Sequence, residues 1–335
     1  MNPIQPALET IQSAAQRRTI DPASTDALRL FNGFYEGMPG LVLDRYGSAL
    51  VIFDHTAEGR YGDLARMVSE WAVETLDGLE AVLFKQRGGS DQAQKKGQFL
   101  TGNHLPDQIT EFGVHYALDL QMNQDAGFYL DTRYLRRWLL DNAAGKRLLN
   151  TFAYTGSLGV AAGVGGAAEV SQTDISRKFL QFAKLSWELN ELHKKEQRIL
   201  PDDFFRVVGR LRHQDRLFDR VILDPPFFSA TAAGRVDLQN ESARLINKIR
   251  PLVAHEGRLV VINNALFLSG ADFMGELEQL CRSEYLSFEQ IIPIPEDITG
   301  YPDTIVSPPP ADPAPFNHPT KIAILRVTRK DQRTS

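Results

Sequence analysis

The sequence predicts an α/β protein: a doubly wound, mostly parallel sheet preceded by a smaller α+β domain. Three observations predict it. From about Asp119 onward, short apolar runs alternate with helix-periodic stretches, and the order strand, helix, strand builds parallel strands joined by right-handed crossovers. Before that point the pattern is richer in strands, with a hairpin signal at Tyr46-Gly47-Ser48. The length, 335 residues, exceeds one average domain and suggests two.

Residues 1 to about 27 read as a short helix and a linker broken at Asp21-Pro22. The small domain then covers 28–118. Its hairpin joins Gly40–Gly47 to Ala49–Phe53, and a helix follows from about Gly62 to Leu76 with apolar residues at Leu64, Met67, Val68, Trp71 and Ala72. Ala81–Lys85 is a strand, and a second strand pair runs through Phe99 and Val114–Leu118. The larger domain covers 119–330. Its expected strands are Arg147–Phe152, Ala168–Gln172, Arg198–Pro201, Val221–Leu223 and Arg258–Ile262. Its expected helices are Thr132–Asp141, Arg177–Leu192, Phe204–Gln214, Leu238–Val253 and Asp272–Arg282. In the second helix Phe179, Phe182, Ala183 and Ser186 form the apolar stripe. The last two strands, Phe288–Ile292 and Lys321–Val327, are joined by a Pro-rich loop rather than a helix, so the final strand is expected to insert antiparallel.

Composition narrows the function classes. Hydrophobic residues make up 43% and charged residues 24%, which allows a large core. No apolar run approaches the ~20 residues that span a membrane, and the first residues lack a signal-peptide core. A single cysteine, Cys281, excludes an intrachain disulfide framework and fits a reducing cytoplasm. The net charge of −5 counts against coating nucleic acid by electrostatics alone. Two basic clusters, Arg133/Arg136/Arg137 and Arg206/Arg210/Arg212/Arg216, are either phosphate-binding stripes or solvated helix faces. No compact Cys/His cluster has metal-ligand spacing.

In open α/β sheets, ligands bind at the carboxyl ends of the strands near the switch in strand order. Four loops leave strands there. The first is Asn150-Thr151-Phe152-Ala153-Tyr154-Thr155-Gly156. Its Tyr154-Thr155-Gly156 turn enters a helix N-terminus and can offer backbone N–H groups to an anion; a plain turn is the alternative. The second is Asp174-Ile175-Ser176, about 20 residues past the first loop, where a carboxylate is placed to accept ribose hydroxyls. Helix capping by Asp174 or Ser176 is the alternative. The third is Asp202-Asp203-Phe204-Phe205. Asp203 can accept an adenine amino group and Phe204 can pack on the ring; a first-turn Asp complementing the helix dipole is the other reading. The fourth, Asp224-Pro225-Pro226-Phe227-Phe228, is the most distinctive. Two prolines stiffen the loop and donate nothing. Asp224 and the Pro225 carbonyl can accept from a base, and Phe227 or Phe228 can stack on one drawn out of its helix. A rigid turn with two core aromatics is the alternative. If one ring faces the core, it is Phe228, with Phe227 the stacking ring.

As a set these motifs resemble the class I S-adenosylmethionine-dependent methyltransferases that modify large-subunit (23S-type) ribosomal RNA, in the family that holds cytosine-C5 and guanine-N7 enzymes. The resemblance extends over nearly the whole chain. It includes Leu30-Phe31-Asn32-Gly33, Pro39–Gly47, Gly127-Phe128-Tyr129-Leu130-Asp131-Thr132-Arg133 and Glu188-Leu189-Asn190, besides the four loops. It implies the class I, Rossmann-like sheet, S-adenosyl-L-methionine as cofactor and RNA as partner. It also implies that Phe128, Asp131 and Arg133 contact the methionine end of that cofactor. Two departures are informative. Cytosine-C5 members carry a nucleophilic cysteine just after the fifth strand of the larger sheet, where this chain has Asn263-Asn264; an amide cannot attack a base, so methylation of a base nitrogen is expected. Residues 1–27 are also too short for the extra RNA-binding domain of many relatives. Two other functions stay open: a methyltransferase for a protein or small molecule, and a non-catalytic RNA-binding assembly factor.

Overall fold

The computed structural model describes residues 4–21, 23–89, 91–231, 234–238 and 241–330. The chain divides into two compact units, Met1–Asp131 with Pro295–Pro308, and Thr132–Ile294 with Pro309–Ser335. Pro22, where the early linker break was expected, lies outside the described residues. Among the described residues, no helix is long and apolar enough to cross a membrane.

The first unit begins with α1 (Ile4–Arg17), β1 (Ala27–Asn32), β2 (Leu41–Tyr46), β3 (Ala49–Asp54), α2 (Gly62–Thr75), β4 (Ala81–Gln86), α3 (Gln92–Lys96) and β5 (Gln98–Thr101). A hairpin of β6 (Gln108–Glu111) and β7 (Val114–Ala117) completes its strands. The sheet runs β1-β2-β3-β4-β5. Only β3 and β4 are parallel neighbours, because the α2 crossover lies between them. The strand through Phe99 does not pair with Val114–Leu118, as the sequence suggested. It folds back on β4, with Leu83 opposite Phe99. Gly97 permits this: its φ is +103° and a Cβ there would lie 2.7 Å from the Leu83 side chain. The α1 helix belongs to the core, where Leu8, Ile11 and Ala14 pack with Leu30, Phe31, Leu41, Ile52, Leu64 and Val68.

Two buried cations organise this unit. Lys85 on β4 is fully buried, and its Nζ donates to the carbonyls of Leu120, Asn123 and Asp125. Burial pulls its pKa down to about 8, against the opposing pull of Asp125. Arg18, just after α1, pairs with buried Glu36 at 2.8 Å. The segment 295–308 docks on the same unit through a short helix, Glu296–Thr299: Asp297 accepts the Arg29 N–H (3.0 Å) and the Ile298 carbonyl accepts from Asn32 (2.9 Å).

The second unit holds α4 (Arg133–Asn142), β8 (Arg147–Thr151), α5 (Ser157–Val164), β9 (Glu169–Thr173), α6 (Arg177–Leu189), β10 (Gln197–Leu200), α7 (Phe204–His213), β11 (Phe218–Leu223), β12 (Phe228–Thr231), β13 (Gly234–Asp237), α8 (Ser242–Ile249), β14 (Val253–Asn263), α9 (Gly270–Cys281), β15 (Leu286–Ile292) and β16 (Lys321–Val327). Its sheet runs β10-β9-β8-β11-β14-β16-β15. The pairs from β10 to β14 are parallel, and β16 is antiparallel to both neighbours. This is the doubly wound sheet with an antiparallel last strand that the sequence predicted.

Three local expectations differ. The buried face of α6 is Leu180, Ala183, Ser186 and Trp187, with Phe179 and Phe182 at its margins. Trp187 sets that rotation, since its ring occupies the space beside Gly163, where a Cβ would be 2.5 Å away. The expected helix Leu238–Val253 shortens to Ser242–Ile249, and Val253 already opens β14; residues 239–240 of that stretch lie outside the described ones. The β12–β13 hairpin was not foreseen, because it is mostly exposed and seats only Val236 in the core, which leaves little periodicity to read.

Candidate functional site

The pairing register lines up one row of residues across the parallel strands: Leu200, Thr173, Thr151, Leu223 and Val261 are partners in turn. Everything just beyond that row projects from one edge of the sheet. Neighbouring strands are about 4.8 Å apart, so the edge from β10 to β14 spans roughly 19 Å, room for an extended nucleoside with an amino-acid tail. The loops the sequence singled out in this unit, 150–156, 174–176, 202–204 and 224–228, all leave there, as does 263–267.

The loop after β8 is strained. Phe152 has φ +54°, Tyr154 φ +52° and Gly156 φ +82°. Non-glycine residues in that region cost on the order of 1–3 kcal/mol each and persist where the surroundings force them. Here β9 does the forcing: Ala153 N–H donates to the Thr173 carbonyl (2.9 Å) and Tyr154 N–H to Asp174 Oδ2 (2.9 Å). A Cβ on Gly156 would lie 2.4 Å from that of Ala183, so α5 and α6 approach closely at this turn. Gly156 is the N-cap of α5 and its own N–H donates to the Ala153 carbonyl (2.8 Å), while the first-turn N–H groups after it have no side-chain cap. Asn150, buried in β8, donates to Gln172 at 3.3 Å.

Asp174 accepts the Tyr154 N–H on one oxygen and the Ser176 N–H (2.8 Å) on the other. Burial pushes its carboxyl pKa up, and the backbone hydrogen bonds pull against that shift. Ser176 is the N-cap of α6, its Oγ accepting from Phe179 N–H. Ile175 between them is exposed. Asp203 is the N-cap of α7 and also accepts the Thr231 hydroxyl at 2.6 Å. Phe204 is buried and stacks on Phe152, with centroids 4.8 Å apart.

After β11, Asp224 is half-buried and Pro225 buried, while Phe227 and Phe228 are 48% and 58% exposed. Neither ring is a core residue, so the alternative of a rigid turn with two core aromatics does not describe this loop. The hairpin opened by Phe228 carries both rings outward, because Phe228–Thr231 pairs only with β13 and not with the main sheet.

At the end of β14, Asn263 is fully buried. Its Oδ1 accepts from Ala265 N–H (3.0 Å), but its Nδ2 is buried with no hydrogen-bond partner among the described residues, as is Oδ1 of Asn264. Lys321, paired with Asn263 across the strands, donates to the carbonyls of Ala265 (3.1 Å) and Pro319; burial lowers its pKa to about 8. Phe267 beyond them is 72% exposed. In sequence this stretch shows only the place where a thiol is missing. Orphaned amide atoms are invisible in sequence.

Phe128 and Asp131 belong to the first unit and Arg133 to the second. Phe128 packs its ring on Tyr116 at 5.0 Å, and its carbonyl accepts from the Tyr46 hydroxyl. Most arginines of the two basic clusters are interior or ion-paired. Arg133 and Arg136 are buried, Arg137 pairs with Asp141, Arg210 with Asp202 and Arg216 with Glu169. In that second cluster only Arg206 and Arg212 are exposed with no ion pair among the described residues. Along the Pro-rich connection between the last two strands, Phe316 is buried against Phe273 (5.7 Å) and Tyr301 lies under Arg18.

The family of S-adenosylmethionine-dependent methyltransferases matches residues 64–304, more than half of the chain. YwbD of Bacillus subtilis (strain 168), provisionally named a ribosomal RNA large subunit methyltransferase, is 29% identical over 307 residues, 88% of this chain and 77% of that protein. Ribosomal RNA large subunit methyltransferase I of Serratia proteamaculans (strain 568) is 35% identical over 210 residues, 61% of this chain and 52% of that protein. The chain thus spans only about half the length of that relative. Among solved structures, SMU.776 complexed with SAH superposes with a TM-score of 0.83 at 22% identity, covering 97% of this chain and 82% of that one. At that identity the likeness concerns the fold.

Proposed function

We propose that this chain, which belongs to the S-adenosylmethionine-dependent methyltransferase family, transfers the methyl group to a base nitrogen of RNA, with large-subunit ribosomal RNA as the acceptor. Two relatives are named as large-subunit ribosomal RNA methyltransferases, one of them provisionally. The observation that carries the reading is the pairing of exposed rings with a missing thiol at one sheet edge: Phe227, Phe228 and Phe267 stand out beside Asp224, Asn263 and Asn264. Cys281 is far from them. It ends α9 and takes a hydrogen bond from the backbone of Phe288, four residues and roughly 13 Å along β15 from Ile292, the residue at the active edge. The lone cysteine and the absence of a membrane-spanning helix among the described residues go with a cytoplasmic enzyme.

The residues present fit the cofactor. The 154–156 turn enters α5 with no side-chain cap, and Asp174 is a carboxylate fixed by two backbone bonds with acceptor positions left over. When bound, the cofactor supplies an electrophilic methyl. Asp174 would hold its ribose hydroxyls, flanked by Ile175 and Ser176. The Tyr154–Gly156 turn would receive its carboxylate, with Asn150 and Phe152 behind the turn and Arg133 as a further contact. Asp203 and Phe204 would border the adenine. Asp224 and the Pro225 carbonyl hold the base, and Phe227 stacks on it. A base nitrogen brings its own lone pair, so these residues need only align it.

Methyl transfer to undermodified large-subunit rRNA, radiolabelled and with nuclease and protease controls, tests the reading. Label that survives nuclease but not protease would move the acceptor to protein. Asp174→Ala should weaken S-adenosylmethionine binding by about 1.5–3 kcal/mol, the scale of lost hydrogen bonds to a charged group, measured by titration calorimetry; unchanged affinity would remove the ribose role. Cys281→Ser should retain methyl transfer. A folded but inactive variant, or a covalent adduct at Cys281 with fluorinated cytosine RNA, would restore carbon methylation.

A further inference from the structure

The sheet of the smaller unit has a carboxyl edge of its own. β1, β3 and β4 point the same way, because β2 is antiparallel to both β1 and β3, and β3 is parallel to β4. Their carboxyl ends, Asn32, Asp54 and Gln86, release three loops side by side. The loops are tied together: His55 N–H donates to the Gly40 carbonyl and Arg87 N–H to the Asp54 carbonyl, both at 2.8 Å. A Cβ on Gly88 would lie 2.4 Å from the Thr56 carbonyl oxygen, so the second and third loops touch backbone to backbone.

On this edge Phe34 is 45% exposed, with its ring set edge-to-face on His55 at 5.4 Å. His55 leans in turn on Phe53. The charged groups facing His55 are both cations, Arg87 and Arg29; with burial as the larger cause they hold its pKa at about 3. The ring is therefore neutral at working pH. Arg29 is held by Asp44 (2.7 Å). Arg87 is half-buried and has no ion pair and no side-chain hydrogen bond among the described residues. The acids nearby are occupied: Asp54 accepts from Thr56 and Tyr61, and Glu58 pairs with Arg60. Lys95 and Lys96 of α3 follow, also without ion pairs among the described residues. A protruding ring on a neutral aromatic base, beside a guanidinium without an acid, is the composition that receives unpaired bases and their phosphates.

We propose that this edge of the smaller unit is a docking surface for single-stranded RNA, with Phe34 stacking on an unpaired base and Arg87 taking the adjoining phosphate. It rests on the reading of RNA as the methyl acceptor, and supplies a place of capture that the net acidic chain does not offer in its arginine clusters.

The test uses the full chain, with two probes: unmodified large-subunit rRNA transcribed in vitro, and fluorescein-labelled oligo(U) of about 15 nucleotides, long enough to fill one single-strand site. Phe34→Ala should weaken oligo(U) binding by roughly 5- to 150-fold, the range of one lost base–aromatic stack. Phe34→Leu, which keeps apolar contact with His55 but no π-face, should lose as much, and Phe34→Trp should restore binding. Arg87→Gln should lower the salt dependence of binding by about one phosphate. Melting temperature and S-adenosylmethionine affinity should stay at wild-type values, while KM for the rRNA transcript rises. Wild-type RNA affinity and salt slope in all of these variants would overturn the docking surface and leave the RNA reading standing. A wild-type protein that binds neither probe would overturn both.

Discussion

Asp224→Ala is expected to lower single-turnover methylation by about a hundredfold or more, with folding and S-adenosylmethionine affinity retained. The carboxylate sits one residue beyond Leu223, the β11 member of the row that ends the paired sheet. Its neighbour Pro225 is buried and stiff, so the side chain is held at a fixed place on the edge. A nitrogen acceptor needs no activated nucleophile from the protein, which leaves alignment as the main contribution, and small misplacements of reacting atoms cost about two orders of magnitude. Phe227→Ala should raise KM for RNA and leave kcat largely intact, since the exposed ring stabilises the extruded base. Neither Phe227→Ala nor Phe228→Ala should approach the ~3–5 kcal/mol of a core truncation, because both rings are solvent-facing. Rapid-quench kinetics with saturating cofactor, beside thermal melts, would decide it. A folded Asp224→Ala enzyme with near-normal turnover would end the alignment role.

The sheet was legible because its strands are buried on both faces and read as uninterrupted apolar runs, such as Val221-Ile222-Leu223 and Leu259-Val260-Val261-Ile262. The antiparallel final strand was legible from the missing helix before Lys321. The β12–β13 hairpin was not, since only Val236 is anchored. The face of α6 was misread because Trp187 pays for its bulk with a glycine on another helix, Gly163, a relation no window on one helix contains. At the candidate site, the sequence supplied the loops but not the state of their side chains. Asp203 and Ser176 turn out to be helix caps, Phe204 a buried ring, and the arginine clusters mostly ion pairs or interior residues. Charge and polarity are written in sequence; who meets them across 30 or 200 residues is not. Glu36 meeting Thr304 is such a case.

That contact belongs to the second large effect. Glu36→Gln is expected to destabilise the smaller unit by about 3–5 kcal/mol, the usual cost of leaving one buried charge without its partner. Arg18 and Glu36 are both fully buried, 2.8 Å apart. Glu36 also accepts the Asn32 N–H at 2.7 Å and the Thr304 hydroxyl, so one carboxylate joins the end of α1, the turn after β1 and the returning segment 295–308. The Arg18 guanidinium donates once more, to the Ala14 carbonyl, and lies over the Tyr301 ring. The glutamine retains the shape and can keep one acceptor, but the guanidinium then sits in the interior with only dipoles around it. At roughly 2–4 °C per kcal/mol for a unit of this size, calorimetry should show a transition lowered by about 6–20 °C. Removing both charges, with Arg18→Met added to Glu36→Gln, should recover much of the loss, because the desolvation cost leaves with the ion. Additive losses in the double variant would mean that each side chain acts alone and that the buried pair is not what ties these three segments together.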